Sequence, residues 1–231
     1  MNTQRTQKLI ALFLLSCCLL VAGCGPKETI RLHCFIGLDA SGSARAHLGG
    51  YTLLSGQIAT RLTANTDTLT LFRLDDQVTE FSNKPATGGM ETTLTAISQN
   101  VQQVSPGRGT FPAKFWEETA TRAEQSRDNT VVILFTDGDN DDQRASSGKA
   151  IRAAIARLAQ NPRVKEVIVC GVERRNYASL HAYLAPLGEE RSHLLNPTEM
   201  EIDTLADYLR AARSQPDVAA EAGRKTQARR E

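Results

Sequence analysis

From about residue 30 the chain alternates between short apolar runs and longer stretches whose apolar residues recur every three or four positions. The runs "IRLHCFIGL" (30–38), "DTLTLFRL" (67–74), "QVTEF" (77–81), "TVVILFTDG" (130–138), "VKEVIVCGV" (164–172) and "HLL" (193–195) read as strands. Asp75 and Asp76 supply a turn between the second and third, which predicts a hairpin there. Between the strands lie helical patterns. Residues 43–65 form the first, although Gly49, Gly50 and Gly56 disfavour a helix. In 91–104, Leu94, Ile97 and Val101 fall on one face, and in 148–160 Ile151, Ala154, Ile155 and Leu158 do the same. Pro112 suits the first turn of a helix over 111–126, where its missing N–H is not needed. Further helices are expected over 177–188 and 198–213, the last opening on a capping-box pattern of Thr198 and Glu201.

"VVILF" and "VIVCGV" are apolar without alternation, the mark of strands covered on both faces in a parallel sheet. Strand and helix alternate over about 180 residues, which predicts an open, doubly wound α/β domain with helices on both faces, over residues 30–213. In such sheets ligands bind at the carboxyl ends of strands, beside the point where strand order reverses. If the chain winds outward both ways from its first strand, the strand ending at Asp39 and the strand ending at Asp137 are neighbours there. Their two aspartates then face one crevice.

Composition narrows the function classes. The 231 residues are 23% charged and 41% hydrophobic with a formal net charge of +1, enough for one substantial core. The near-zero balance argues against nucleic acid as a partner, since a nucleic-acid binder normally carries a basic stripe. No internal repeat is visible. From about Ser214 the chain carries no apolar face, and residues 214–231 read as a disordered, mildly basic tail.

The first 23 residues have a different character. Arg5 and Lys8 precede an apolar run from Leu9 to Gly23, shorter than the ~20 residues of a spanning helix. That arrangement fits a secretory signal. "VAGC" resembles a bacterial lipobox, which implies cleavage before Cys24 and lipidation (palmitate among the chains) of that cysteine. The alternative is an uncleaved membrane anchor; either way the domain is expected outside the cytoplasm, tied to a membrane by a short tether over 24–29. Gly25, standing where an aspartate would favour the inner membrane of a double-membraned bacterium, points to the outer membrane and a periplasm-facing domain. Cys17 and Cys18 leave with the signal. Cys34 and Cys170 remain in predicted buried strands, as a disulfide or, the reading we favour, as two free thiols behaving as small core hydrophobes.

Asp39, Ser41 and Ser43 sit where the first strand stops, in "GLDASGSA". Small oxygen-bearing side chains at alternating positions either cap a helix or hold a cation. Oxygen-only ligands with few charges suit a hard cation, magnesium first, with manganese or calcium as alternatives. The serine hydroxyls would be direct ligands, the carboxylates of Asp39 and Asp137 direct or water-mediated ones, and Thr110 a hydroxyl from another loop.

"DASGS" (39–43), "GRGT" ending at Thr110 and "TDGD" from Thr136 together resemble the metal-ion-dependent adhesion site of the von Willebrand factor type A domain. Each piece alone is weak; their order and placement at strand ends make the signal. The resemblance implies the same doubly wound sheet, with a short antiparallel edge strand that "QVTEF" would supply. It implies Asp39, Ser41 and Ser43 as the first ligand loop, Thr110 as the second and Asp137 as the third. Gly109 keeps the glycine common before the threonine, while Arg108 replaces a second glycine and would stand at the ligand rim with Asp139. Thr92 and Thr93 are rivals for the threonine loop but come too early in the chain.

"DGDNDD" starts like an EF-hand, but Asp142 and Gly148 occupy the positions where that loop needs glycine and glutamate. Asp139, Asp141 and Asp142 are therefore expected as a solvated acidic rim. Enzyme readings find little support. "SSGKA" around Lys149 lacks the P-loop glycine and hydroxyl, no G-x-S-x-G elbow exists, and a D-x-D phosphotransferase would need aspartate at Ser41. His33, His47, His181 and His193 show no metal-protease spacing; His33 and Trp116 read as packing residues. The expected function is a lipid-anchored binding module whose cation takes an Asp or Glu carboxylate from an envelope or surface protein. A metal-independent scaffold lipoprotein of the cell envelope is the alternative.

Overall fold

The computed structural model describes residues 30–75, 77–85, 89–103, 109–110, 112–140 and 145–215. The signal segment, Cys24 and the tether, Asp76, Arg108, Asp141, Asp142 and the tail from 216 lie outside the described residues.

Six strands form one sheet: β1 (Leu32–Asp39), β2 (Thr68–Leu74), β3 (Val78–Pro85), β4 (Asn129–Phe135), β5 (Val164–Cys170) and β6 (Ser192–Leu195). Their order is β3-β2-β1-β4-β5-β6. β1 is therefore flanked by β2 and β4, and every pairing is parallel except β2 with β3. The chain does wind outward both ways from its first strand. The antiparallel edge strand is longer than "QVTEF", reaching Pro85, and a register shift at Leu71/Phe72 accommodates it.

Among the described residues, six α-helices cover the sheet. α1 (Leu48–Arg61), α2 (Gly89–Ile97) and α6 (Ile202–Ser214) pack on one face, against Cys34, Ile36 and Leu38 of β1 and Ile133 and Phe135 of β4. α3 (Pro112–Gln125), α4 (Ala145–Gln160) and α5 (Tyr177–Leu184) pack on the other, against Phe35, Val132 and Leu134. The assignment follows from strand geometry, since successive side chains point to opposite faces. Gly37 has a steric role: a Cβ there would lie 2.8 Å from the Phe115 ring and 2.9 Å from Leu134. Its absence lets Phe115 and Trp116, edge to face at 5.2 Å, settle onto the sheet, and Trp116 is buried between helix and strands as expected. The predicted face of α4 (Ile151, Ala154, Ile155, Leu158) is buried.

Local boundaries differ in three places. The helix expected over 43–65 divides into a 3-10 turn, Ala44–His47, and α1. α2 ends at Ile97 and loosens into a π turn, Ser98–Gln102, that still buries Val101. The Thr198–Glu201 capping box does not form: α6 starts at Ile202, Glu201 is its N-cap, and no side chain caps it. Asn196 takes Thr198 instead, its side-chain oxygen accepting from the Thr198 amide (2.9 Å) and hydroxyl (2.6 Å). A turn anchored by asparagine competes successfully with the cap.

Cys34 and Cys170 are buried thiols, and burial pushes Cys34 up to about 12. His33 stacks on Phe35 at 4.0 Å and its Nε2 lies 2.9 Å from the Thr70 hydroxyl. Burial, helped by the Arg122 charge, holds its imidazole down at about 4, so it stays neutral. At the amino end of the sheet Asp67 accepts from the Leu32 amide (2.9 Å), the Thr63 amide (2.6 Å) and both Arg213 terminal nitrogens (3.2 and 2.6 Å). Asn129 adds bonds to the Ala212 and Gln215 carbonyls at 2.9 and 3.1 Å, pinning the end of α6. Among the described residues no helix is long and apolar enough to cross a membrane.

Candidate metal centre

At the carboxyl end of β1 the backbone turns sharply because the Ser41 amide donates to Asp39 Oδ1 at 2.9 Å. This Asx turn is a habit of aspartate. It folds the next residues back over the strand end and sets the Ser41 and Ser43 hydroxyl oxygens 3.2 Å apart. Ser41 is buried and Ser43 exposed, so the pair runs from the crevice floor to its mouth.

Two threonines from other loops converge on the same carboxylate. The Thr110 hydroxyl, two residues before α3, lies 3.2 Å from each Asp39 oxygen. The Thr136 hydroxyl, just past β4, donates to Asp39 Oδ2 at 2.7 Å and accepts the Gly138 amide at 3.0 Å. Asp39, Ser41, Thr110 and Asp137 are all buried to within 1% of full burial. The rival Thr93 is committed elsewhere, donating to the Gly89 carbonyl at 2.9 Å.

Asp137 is held by its backbone. Its carbonyl accepts the Glu173 amide at 3.0 Å and the Asn176 side-chain amide at 3.1 Å, while its Oδ1 accepts the Asp139 amide at 3.0 Å. The following Gly138 has φ +89°, and a Cβ there would meet Asn176 at 2.9 Å. The turn that directs Asp137 into the crevice thus requires glycine. Asp137 shares no hydrogen bond with the other four predicted ligands, but its charge reaches Asp39. Burial pushes the Asp39 carboxyl above its usual range; donors from Thr136 and Ser41 pull it back, and the Asp137 charge raises it further. Among the described residues, no positively charged side chain is among the groups that act on it. Among the described residues, hydroxyls and amides serve this buried pair of acids.

These donors fit a hard cation. They are oxygens from two carboxylates and three predicted hydroxyl ligands, and among the described residues no cluster of three or more His, Cys, Asp or Glu offers a nitrogen- or sulfur-rich alternative. Oxygen-only sets suit magnesium, manganese or calcium.

Asp139 stands at the rim but is not freely solvated. Arg175 meets its Oδ2 at 2.9 Å and Asn176 its Oδ1 at 2.7 Å, while Arg175 also pairs with Glu173 at 2.8 Å. Thr136, Asn176, Arg175 and Glu173 were not singled out as site residues in the sequence. Thr136 carried a signal, standing directly before Asp137 at a strand end; the others come from a loop no local pattern marks.

No protein-family profile matches the chain, and no curated protein does. Solved structures do, and they give the architecture its class: this is the fold of von Willebrand factor type A domains. The PilB minor pilin from Streptococcus sanguinis superposes with a TM-score of 0.57 at 12% identity, over 83% of this chain and 65% of the pilin chain. A von Willebrand factor type A protein from Catenulispora acidiphila gives 0.57 at 14% identity, over 80% and 42%. The von Willebrand factor domain of the type V pili tip protein Mfa5 from Porphyromonas gingivalis gives 0.56 at 11% identity, over 83% and 99%. The chain thus spans less than two thirds of the first two neighbours and nearly all of the third. At these identities the likeness is one of fold.

Proposed function

We propose that this domain is a metal-dependent protein-binding module of a bacterial cell envelope, working in adhesion or in the assembly of a surface structure. Asp39, Ser41, Ser43, Thr110 and Asp137 would hold a divalent cation, with magnesium preferred and manganese or calcium accepted. When bound, the cation supplies a positive charge with an open position for an Asp or Glu carboxylate of a partner protein. The observation that carries this reading is Asp39: fully buried, ringed by hydroxyl donors, and with its carboxyl pushed upward by burial and further by the Asp137 charge. Hydroxyls orient the site without neutralising it, so the pair of acids favours a cation strongly in a poorly solvated crevice.

The chain's own residues divide the work. Ser41 and Ser43 present oxygens on successive levels of the crevice. Thr110 and Thr136 fix the Asp39 carboxylate plane. Asn176 and the Glu173 amide hold the Asp137 loop in place. The fold neighbours include a minor pilin and a pilus tip domain, which supports a role in surface assemblies. A lipid on Cys24 would tether the domain to the membrane, with the outer membrane preferred because Gly25 follows it.

The test is calorimetric titration of Mg²⁺ and Mn²⁺ into the full chain in detergent, beside Asp39→Ala. One equivalent bound by the unmodified chain and none by the variant supports the reading. A partner captured equally well with and without chelator would overturn it in favour of a metal-independent scaffold.

A further inference from the structure

Tyr51 is fully buried, yet among the described residues its hydroxyl has no hydrogen-bond partner. An orphaned buried hydroxyl costs free energy and calls for an explanation. Packing does not provide one, because phenylalanine would fill the same space. The ring projects from the first turn of α1, lies 5.3 Å from the Phe135 ring at the end of β4, and reaches the end of β5. There a Cβ on Gly171 would stand 2.4 Å from the Tyr51 oxygen, and Gly171 adopts φ +88°. The backbone leaves room for the hydroxyl where the strand ends are stitched together, by Thr136 N–H to Cys170 (2.9 Å) and Glu173 N–H to Asp137 (3.0 Å). After burial itself, the charges that most strongly disfavour ionising this phenol are Asp137 and then Asp39. Phe135 stands two residues before Asp137 and Gly171 follows the Cys170 carbonyl that takes the Thr136 amide, so the Tyr51 ring reaches the strand ends from which the Asp137 loop springs.

We propose that Tyr51 is a positioning residue of the cation site: its hydroxyl donates through one bridging water to the Asp137 carboxylate and holds that carboxylate toward the cation. This rests on the metal-binding reading above. Asp137 lacks the threonine clamp that Asp39 enjoys, with only the Asp139 amide recorded on its carboxylate among the described residues. A second donor from below would give it a comparable hold. Outer donors of this kind fix ligand orientation, and their loss weakens metal affinity by about 10–100-fold.

The experiment compares the full chain in detergent with its Tyr51→Phe variant, measuring Mg²⁺ affinity by calorimetry and the metal-free urea midpoint. The expected result is affinity weaker by about tenfold, with a metal-free midpoint equal to or above that of the unmodified chain. A tyrosine difference band in the near-ultraviolet on Mg²⁺ addition should also be lost in the variant. Unchanged affinity would overturn the proposal, as would an affinity loss matched by a fall in the metal-free midpoint, which would mark the hydroxyl as structural. If the unmodified chain binds no Mg²⁺, the metal-binding reading itself fails and this proposal falls with it, an outcome distinct from the other two.

Discussion

Asp39 and Asp67 are fully buried carboxylates at opposite ends of the same sheet, and the chain treats them differently. Asp67 receives two amides and both terminal nitrogens of Arg213, a forked pairing that neutralises its charge inside the protein. Asp39 receives one amide and two hydroxyls, and the acid nearest to it makes matters worse. Both arrangements satisfy hydrogen bonding; among the described residues, only the Asp67 one satisfies charge. A buried carboxylate with its own arginine is a structural joint. One that meets neutral donors and another acid among the described residues has the character the proposed cation site requires.

The largest effect that sharpens this contrast is expected from Arg213→Ala. Removing one partner of a buried pair should cost about 3–5 kcal/mol, read from urea denaturation, with Mg²⁺ affinity unaltered. A loss below about 1 kcal/mol would mean the joint is solvated and the comparison false. Next, Mg²⁺ at one hundred times its dissociation constant should stabilise the unmodified chain by about 2.7 kcal/mol and Arg213→Ala by the same amount. No stabilisation should appear in Asp39→Asn.

His33 offers a third solution to burial, staying neutral. Its folded value near 4 lies below the ordinary 6.5, so the unfolded chain takes up the proton first as pH falls. Stability from this residue is therefore complete above pH 6.5 and lost on descending toward 4. With a discount for its partial exposure, roughly 2 kcal/mol is at stake, and His33→Gln should flatten that part of the pH–stability curve. The smallest effect belongs to Asp39→Asn in metal-free buffer. Relief of repulsion from Asp137 offsets weakened hydrogen bonds, so the urea midpoint should move by less than about 1 kcal/mol. A large loss would show that Asp39 serves stability as Asp67 does.

Much of this architecture is local in origin. Unalternating runs such as "VVILF" demand cover on both faces, and that demand, with the alternation of strand and helix, specifies a doubly wound sheet and brings the ends of β1 and β4 together. The convergence of Asp39, Ser41, Ser43 and Thr110 was legible because each stands where an element begins or ends, and turn chemistry there follows from residue type. The joint between Asp67 and Arg213 was not, since its partners lie 146 positions apart and no periodicity links them. Nor was the donation from Thr136 to Asp39, across 97 positions, or the orphaned hydroxyl of Tyr51, which on its helix is one more apolar-face residue. The capping box at Thr198 failed for the same reason in reverse: a local pattern lost to a nearby asparagine that the helix rule does not weigh. The sequence by itself determined the sheet, its order and the chemical character of the strand ends, because short-range sterics and burial decide those. Which acid received an arginine and which met neutral donors among the described residues was decided only by the tertiary structure, because charge compensation in a buried site depends on what the folded chain brings within a few ångströms.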